Sequence, residues 1–196
     1  MSKQNIVIID YEAGNVQSVK YALERLGVNA ELSNCEATIR RADKVIFPGV
    51  GEAAWAMQKL TETGLDKLIP QLKQPVLGIC LGMQLMCESS EEGNTKGLGI
   101  FPLKALKFPA EDKVPHMGWN QIKQLNGELY TGIEDQSFVY FVHSYYVPVN
   151  KYTLANTEYI RNFSASLQKD NFYACQFHPE KSGDIGQKIL SNFIKL

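Results

Sequence analysis

The chain has 196 residues, of which 44% are hydrophobic and 21% charged, and its formal net charge is −1. Balanced charge argues against a nucleic-acid partner, and no apolar run approaches the roughly 20 residues that cross a bilayer. The polar start of the chain passes directly into a strand-like run, without a secretory signal. We therefore expect a cytoplasmic protein that forms one domain over residues 1–196 and binds neither nucleic acid nor membrane.

The cysteines are widely and irregularly spaced, and no Cys-x-x-Cys pair suggests a zinc or redox site. In a reducing compartment this spacing predicts free thiols, and we expect no metal and no cofactor. The cysteines are Cys35, Cys80, Cys87 and Cys175.

The first half of the chain alternates strand-like apolar runs with helical patterns. After Gly14, apolar residues recur at helical spacing until Gly27 ends the pattern. This βαβα order predicts a parallel sheet with helices on both faces. The predicted strands are 5–10, 28–33, 44–49 and 75–80, and further helices are predicted over 52–64 and 81–90.

From about residue 98 the pattern changes to short β-branched or aromatic runs that proline, glycine and asparagine divide. These runs predict strands, several of them antiparallel, followed by an amphipathic helix that closes the chain. The fold prediction is therefore α/β, with a mostly parallel central sheet, flanking helices and added antiparallel strands. The predicted strands are 98–108, 115–125, 137–147, 152–159, 163–168 and 172–177, and the helix is 183–196.

A candidate nucleophile, Cys80, lies between a buried strand and a helix, with Gly78 and Gly82 two residues to either side. This Gly-x-Cys-x-Gly pattern is typical of a nucleophile elbow, in which glycines relieve crowding at a sharp strand-to-helix turn. The helix start favours a thiolate, and the N–H of Leu81 can face a developing oxyanion. A buried cysteine in a glycine-rich turn is the alternative interpretation.

Of the three histidines, His178 is the best candidate for a general base. Glu180 follows two residues later, and Pro179 between them disfavours a helix at His178. In an extended chain, residues i and i+2 share a face, so that the carboxylate can hold one imidazole nitrogen while the other faces the thiol. We expect His143 to be packed or capping, and His116 to be an exposed surface residue.

Two of these segments, GICLGMQ (78–84) and FHPE (177–180), resemble motifs of the class I (triad) glutamine amidotransferases. The resemblance extends over the whole chain and implies their flavodoxin-like α/β fold. Other segments resemble the glutaminase subunits of imidazole glycerol phosphate synthases, enzymes of histidine biosynthesis. These segments are DYEAGN, FPGVG, SSEEG, VPHMGWN, FVHSYYV and QFHPEKSG.

The resemblance implies hydrolysis of glutamine to glutamate and ammonia, with Cys80 as nucleophile, His178 as base and Glu180 as its orienting partner. It also implies an oxyanion site, in which a backbone amide near Val50 or Gly51 joins that of Leu81. Groups implied to contact the substrate glutamine are Gly49, Gln84, Glu92, Ser144 and Tyr145. Without the resemblance, Gln84 is equally well explained as a polar surface residue of the helix.

The resemblance further implies a heterodimer with a separate (β/α)8-barrel cyclase subunit, which uses the ammonia to make imidazole glycerol phosphate and AICAR. Free ammonia protonates in neutral water and loses its nucleophilicity, and a chain of this length has no room for a synthase domain. The segment HMGWN resembles the docking surface, although Trp119 is also explicable as a core residue. The predicted interface residues are Met117, Trp119, Asn120 and Lys181.

Several alternatives stay open from the sequence alone. One is the glutaminase subunit of another synthase, either pyridoxal phosphate synthase or a surface-sugar amidation system. Trp55 is bulkier than the residue that the resemblance leads us to expect in this predicted helix, and this departure leaves the surface-sugar amidation system open. The others are a stand-alone cysteine hydrolase, such as a γ-glutamyl peptidase, and an interaction module that has kept the fold without catalysis.

Overall fold

The computed structural model describes residues 4–12 and 16–196, so that Gly14 at the predicted helix start lies outside the described residues. No helix in these ranges is both long and apolar enough to cross a membrane. The helices are α1 Val16–Arg25, α2 Glu36–Arg41, α3 Ala53–Glu62, α4 Leu65–Leu68, α5 Leu81–Met86 and α6 Gly183–Lys195. The strands are β1 Ile6–Ile9, β2 Ala30–Ser33, β3 Lys44–Gly49, β4 Val76–Cys80, β5 Cys87–Ser90, β6 Thr95–Lys96, β7 Phe101–Lys107, β8 His116–Gln121, β9 Phe138–His143, β10 Tyr145–Tyr146, β11 Thr153–Glu158, β12 Asn162–Lys169 and β13 Phe172–Cys175.

The central sheet has the order β11-β12-β13-β4-β3-β1-β2. Strands β2, β1, β3, β4 and β13 are parallel, while β11 and β12 add an antiparallel edge. The parallel part repeats the 2-1-3-4 order of flavodoxin-like sheets, in which ligands bind at the carboxyl ends of the strands. The predicted α/β fold, with a mostly parallel sheet and added antiparallel strands, is confirmed.

Each central strand contributes side chains to a hydrophobic core on both faces of the sheet. In β1, Val7 and Ile9 lie in the core beneath α3, α4 and α5, while Ile6 and Ile8 lie in the core beneath α1 and α6. All four side chains are fully buried, because helices cover both faces of the sheet. This two-sided burial explains why the strand sequences are continuously apolar rather than alternating.

The remaining strands form two smaller sheets beside the central one. One has the order β10-β7-β5-β6, and the other is the β8–β9 hairpin. The hairpin pairs His116 with His143 and Trp119 with Tyr140. It lies beside the carboxyl end of β4, since the Val142 carbonyl oxygen is 3.8 Å from the Cys80 sulfur.

Two sequence predictions are wrong in detail. The helix predicted over 81–90 ends at Met86, and residues 87–90 form strand β5 because Cys87 pairs with Phe101 of β7. Tertiary pairing here overrides the local helical pattern. The strand predicted over 137–147 is interrupted at Ser144, and its last part, β10, pairs with β7 in a different sheet. Helix α2 was not predicted at all.

The tight approach of α5 to β3 should make Gly82→Ala much more destabilising than Gly64→Ala. A Cβ at Gly82 would lie 2.1 Å from the Phe47 carbonyl oxygen, a contact that only a backbone shift can relieve. A Cβ at Gly64 would meet no atom within 4 Å, so that only its left-handed φ of 74° opposes alanine. We expect losses of more than about 3 kcal/mol and of about 1 kcal/mol, respectively, in urea unfolding. Equal losses would contradict this account of the turn.

Candidate active site

Cys80 occupies a strained turn at the carboxyl end of β4. Its φ of 52° and ψ of −105° are unusual for a residue with a side chain, and α5 begins at the next residue. Gly78 and Gly82 make this turn possible. A Cβ at Gly78 would lie 2.9 Å from the Met86 sulfur, and one at Gly82 would strike β3. The predicted elbow geometry is therefore present, with the thiol placed at the carboxyl edge of the sheet.

His178 and Glu180 form a buried pair beside this turn. The His178 Nδ1 atom lies 2.8 Å from Glu180 Oε1, and both side chains are almost inaccessible to solvent. His178 is extended, as predicted, but Glu180 reaches it from the short 3-10 turn Pro179–Lys181 rather than from an extended chain. Because the Glu180 carboxylate occupies Nδ1, Nε2 is the ring nitrogen that is available to exchange a proton.

The electrostatic surroundings of His178 favour its cationic form. Burial by itself lowers the pKa of His178, but the interactions with the Cys80 sulfur and the Glu180 carboxylate outweigh it and raise the pKa to about 10. The Nε2 atom has no hydrogen-bond partner in the described part of the chain. A cationic imidazole with a free N–H beside a sulfur atom favours the nucleophilic thiolate.

Backbone contacts that the sequence patterns did not reveal fix the position of His178. The His178 N–H donates to the Tyr140 carbonyl oxygen at 2.9 Å, and the Tyr140 N–H donates to Ser182 Oγ at 2.9 Å. Ser182 Oγ in turn donates to the His178 carbonyl oxygen at 2.6 Å. These bonds fasten the histidine segment to the middle of β9. A serine four residues after the histidine is the only sequence signal for this clamp.

Most of the predicted site residues line one cavity of about 300 Å³. Glu180 lies behind His178, and Gly49 is buried beneath the cavity, paired in register with Cys80. Gly49 is close to Tyr11, whose hydroxyl donates to the Pro48 carbonyl oxygen at 2.9 Å. Pro115, Val142 and His143 line the cavity without having been predicted to do so. The predicted lining residues are Val50, Gly51, Cys80, Leu81, Gln84, Glu92, Ser144, Tyr145 and His178.

Val50 and Gly51 follow Gly49, which pairs with Cys80, and they line the same cavity as the start of α5. Gly51 has a φ of 99°, a conformation that a residue with a side chain rarely adopts, and apart from its chain neighbours none of the described residues has an atom within 4 Å of the position of its missing Cβ. Leu81 is the first residue of α5, where helix N–H groups lack intrahelical partners. The two elements that were predicted to supply oxyanion donors therefore face the same space.

Two polar side chains complete the cavity wall. Gln84 is buried, and its amide nitrogen donates to the Tyr145 carbonyl oxygen and to Gln176 Oε1, both at 3.1 Å. Its interpretation as a surface residue is therefore wrong. Glu92 Oε2 accepts a 2.9 Å bond from the Ala53 N–H at the start of α3, and burial raises the pKa of this carboxyl.

Comparison with known proteins agrees with this geometry. Residues 7–196 match the family model described as glutamine amidotransferase class-I. The chain belongs to this family. Its fold is also similar to that of a putative GMP synthase protein from Thermoplasma acidophilum, with a TM-score of 0.77 at 20% identity over 100% of this chain and 94% of the other.

Relatives with much higher identity carry one name, imidazole glycerol phosphate synthase subunit HisH. The protein of that name from Bacteroides fragilis strain YCH46 is 58% identical over 194 residues, covering 97% of this chain and 99% of the relative. The protein from Buchnera aphidicola is 47% identical with the same coverage.

His116 and His143 form a buried polar chain beside the amidotransferase cavity, and the prediction of an exposed His116 is wrong. Asn120 Nδ2 lies 3.2 Å from His116 Nε2, and His116 Nδ1 lies 3.2 Å from His143 Nε2. His143 Nδ1 lies 2.7 Å from the Tyr145 carbonyl oxygen, which can only accept. One proton arrangement satisfies every contact, with each histidine neutral and protonated on Nδ1.

The outer face of the β8–β9 hairpin is apolar and exposed. Met117 is 62% exposed and Trp119 54%, so the interpretation of Trp119 as a core residue is wrong. Phe138 extends the same hairpin and is 52% exposed, which its sequence pattern did not indicate. Asn120 is half-buried, and Lys181 is exposed in the turn that carries Glu180. We call Met117, Trp119 and Phe138 the outer hairpin face.

The buried histidines should make the protein less stable as the pH falls below about 6.5. Burial lowers the pKa of His116 to about 4 and that of His143 to about 3, so between these values and 6.5 only the unfolded chain binds their protons. Each histidine then removes up to about 1.4 kcal/mol of unfolding free energy per pH unit. His116→Gln should reduce this slope in urea unfolding between pH 4.5 and 6.5.

The matched control for this measurement is His178→Gln. The pKa of His178 is raised to about 10, so this residue is protonated in the folded state throughout, and below about pH 5.5 it is protonated in the unfolded state as well and contributes almost no slope. Between about pH 5.5 and 6.5 its slope has the opposite sign, so that His178→Gln should not reduce the measured slope anywhere in this range. Its contribution to stability is instead lost as the pH rises from 6.5 toward 10. If His116→Gln left the slope unchanged, or if His178→Gln reduced it, the assignment of the slope to the buried His116 and His143 would be contradicted.

Proposed function

We propose that this chain is the glutaminase subunit of an imidazole glycerol phosphate synthase, with residues 1–196 forming one amidotransferase domain. The observation that carries the proposal is the Cys80, His178 and Glu180 arrangement at the wall of a cavity that also holds Gln84 and Glu92. The relatives share one name at up to 58% identity over nearly the whole chain, which supports imidazole glycerol phosphate synthase as the enzyme that uses the ammonia. A cytoplasmic location stays a prediction.

In the proposed reaction, the Cys80 thiolate attacks the carboxamide carbon of glutamine and forms a tetrahedral oxyanion. The N–H of Leu81 and a peptide N–H near Val50 or Gly51 stabilise this oxyanion. The protonated His178 gives its Nε2 proton to the departing nitrogen, and ammonia leaves a thioester on Cys80. The neutral imidazole then takes a proton from water, whose attack on the thioester releases glutamate.

The ends of the substrate would meet the polar groups at the far wall of the cavity. Glu92 supplies a carboxylate for the α-ammonium group, and Gln84 supplies polar side-chain contacts. The backbone at Ser144 and Tyr145 offers N–H groups for the α-carboxylate. Gly49 lies beneath the cavity lining, and only the resemblance to the family assigns it a contact with the substrate. These contacts are assigned from the lining of the cavity and from the resemblance to the family.

We further propose that a (β/α)8-barrel cyclase docks on the outer hairpin face and forms a heterodimer with this chain. Met117 and Trp119 supply large apolar surfaces that a monomer leaves in water, and aromatic residues and methionine are enriched at protein interfaces. Asn120 and Lys181 add polar and cationic groups beside this face. Docking here places the partner next to the triad, so that ammonia passes into it without crossing bulk water.

Cys80→Ser should abolish glutamine-dependent synthesis by the complex, by at least about 10³-fold, because a hydroxyl is a far weaker nucleophile than a thiolate. The cyclase should still form imidazole glycerol phosphate when ammonium salt is supplied. Cys35→Ser is the matched control, because Cys35 is exposed on the protein surface and should leave both activities unchanged.

Three outcomes would overturn this proposal in different ways. Retained glutamine turnover in Cys80→Ser would remove the nucleophile assignment. Wild-type glutaminase activity without any ammonia transfer to the cyclase product would indicate another acceptor, as in a sugar-amidation or pyridoxal phosphate system. Full activity in the isolated chain, unaffected by a partner, would indicate a stand-alone hydrolase.

The glutaminase rate of the isolated chain should be low and should rise when the liganded cyclase binds. The peptide around Gly51 can adopt two orientations at little steric cost, of which one directs an N–H at the oxyanion. Losing such a donor costs about 10²–10³ in turnover, which is a sufficient range for a switch. Gly51→Ala should reduce the ratio between complex and isolated chain, which steady-state glutamate production measures.

Gly64→Ala is the matched control for this switch. Gly64 also has a left-handed φ and open space around its missing Cβ, but it lies outside the cavity lining. It should leave the activation ratio unchanged. If Gly51→Ala also leaves the ratio unchanged while the complex remains faster, another element carries the activation.

A further inference from the structure

Gln176 is a fully buried polar side chain between the nucleophile and the cavity wall. It follows β13 and lies two residues before His178, and its backbone N–H donates to the Ala165 carbonyl oxygen at 2.8 Å. Its side-chain Nε2 lies 3.7 Å from the Cys80 sulfur, and its Oε1 lies 3.1 Å from Gln84 Nε2. The side chain therefore bridges the two residues on which the proposed reaction depends.

The surrounding hydrogen bonds fix which end of the Gln176 amide faces the sulfur. The Tyr145 carbonyl oxygen can only accept, so the NH₂ group of Gln84 must face it, at 3.1 Å. The second N–H of the same group then points to Gln176, which must present its oxygen there. The NH₂ group of Gln176 is consequently directed at Cys80. A flipped amide would bring two donors together and place an oxygen against the sulfur.

The protonation state of Cys80 decides which of its neighbours stabilises the sulfur. A thiol can donate its S–H to the Val142 carbonyl oxygen at 3.8 Å. A thiolate has no proton to donate, so it cannot form a hydrogen bond with this carbonyl oxygen. Gln176 instead offers an N–H, and a hydrogen bond to an ionised group is stronger than one between neutral groups.

We propose that Gln176 is a further active-site residue, which donates an N–H hydrogen bond to the Cys80 thiolate and aims the sulfur into the cavity. Gln84 acts behind it by holding the Gln176 amide in the donating orientation. The inference deepens the proposed glutaminase function and rests on it for its role in turnover. The alternative is that Gln176 only ties β13 to α5 as a packed, satisfied polar residue.

The pH dependence of Cys80 alkylation by iodoacetamide separates these two roles. The experiment uses the full chain with Cys35→Ser, which removes the exposed thiol. Cys87 and Cys175 are fully buried and lie outside the cavity lining, whereas Cys80 lines the cavity. Mass spectrometry confirms modification at Cys80. Gln176→Met keeps the length of the side chain but removes the donor, and it should move the midpoint of the rate profile to higher pH by roughly one unit.

Two further variants make the test independent of any one substitution. Gln176→Glu places a carboxylate near the sulfur and should move the midpoint further than methionine does. Gln176→Asn shortens the side chain by one methylene group, which withdraws the amide from the sulfur and should also raise the midpoint. This variant provides the test if the methionine variant fails to fold. Gln168→Met is the matched control, because Gln168 donates to the Tyr173 hydroxyl at 3.0 Å and lies outside the cavity lining.

A purely structural Gln176 would give lower stability with an unchanged midpoint in every folded variant, and that result would overturn the inference. The measurement does not need glutamine turnover, so it can fail or succeed separately from the proposed function. A shifted midpoint in a chain that never hydrolyses glutamine, with or without the cyclase, would refute the function and retain the thiolate contact. Normal glutamine turnover by the wild type, together with unshifted midpoints in the variants, would refute the thiolate contact and retain the proposed function.

Discussion

At the junction of β4 and α5, Cys80 has a φ in the left-handed region, which is sterically unfavourable for a residue with a side chain. Such a conformation costs about 1–3 kcal/mol and persists only where the surrounding packing fixes it. Here that packing is the contact of α5 with β3, which leaves no space for a side chain at Gly82 and little at Gly78. Cys80 thus lies at the edge of the core beneath α1 and α6, where it also lines the cavity. Every other part of the site is arranged around a sulfur atom held in that position.

The three histidines show how surroundings decide the chemistry of one residue type. His116 and His143 are buried among aromatic rings and neutral partners, so burial lowers the pKa of each and both remain uncharged. His178 is equally buried, but it lies between the Glu180 carboxylate and the Cys80 sulfur, which raise its pKa. A neutral pair beside the cavity supplies shape and hydrogen bonds, whereas the cationic residue can supply the proton that the proposed reaction needs. Burial alone would not have distinguished these roles.

The parts of the site that are local in sequence could be predicted, and those made by distant pairing could not. Glycine spacing around Cys80 predicted the elbow, because Gly78, Cys80 and Gly82 are neighbours in sequence, but the contact with Phe47 of β3 that excludes a side chain at Gly82 was not predicted. The same local pattern placed residues 87–90 in a helix, since nothing in that segment indicates its pairing with β7. The burial of His116 and the role of Ser182 depend on β8, β9 and the histidine segment meeting in space. No periodicity within any one segment carries that information.

The β8–β9 hairpin connects the outer hairpin face to Cys80 and His178 through the backbone of β9. Trp119 pairs with Tyr140, whose N–H and carbonyl groups hold Ser182 and the His178 segment. Two residues along β9, the Val142 carbonyl oxygen lies beside the Cys80 sulfur. A partner that displaces this hairpin would therefore move atoms in contact with both the His178 segment and the Cys80 sulfur, which are the base and nucleophile of the proposed reaction. Because these contacts are made by the backbone of one strand, base and nucleophile can respond together without any side chain changing its rotamer.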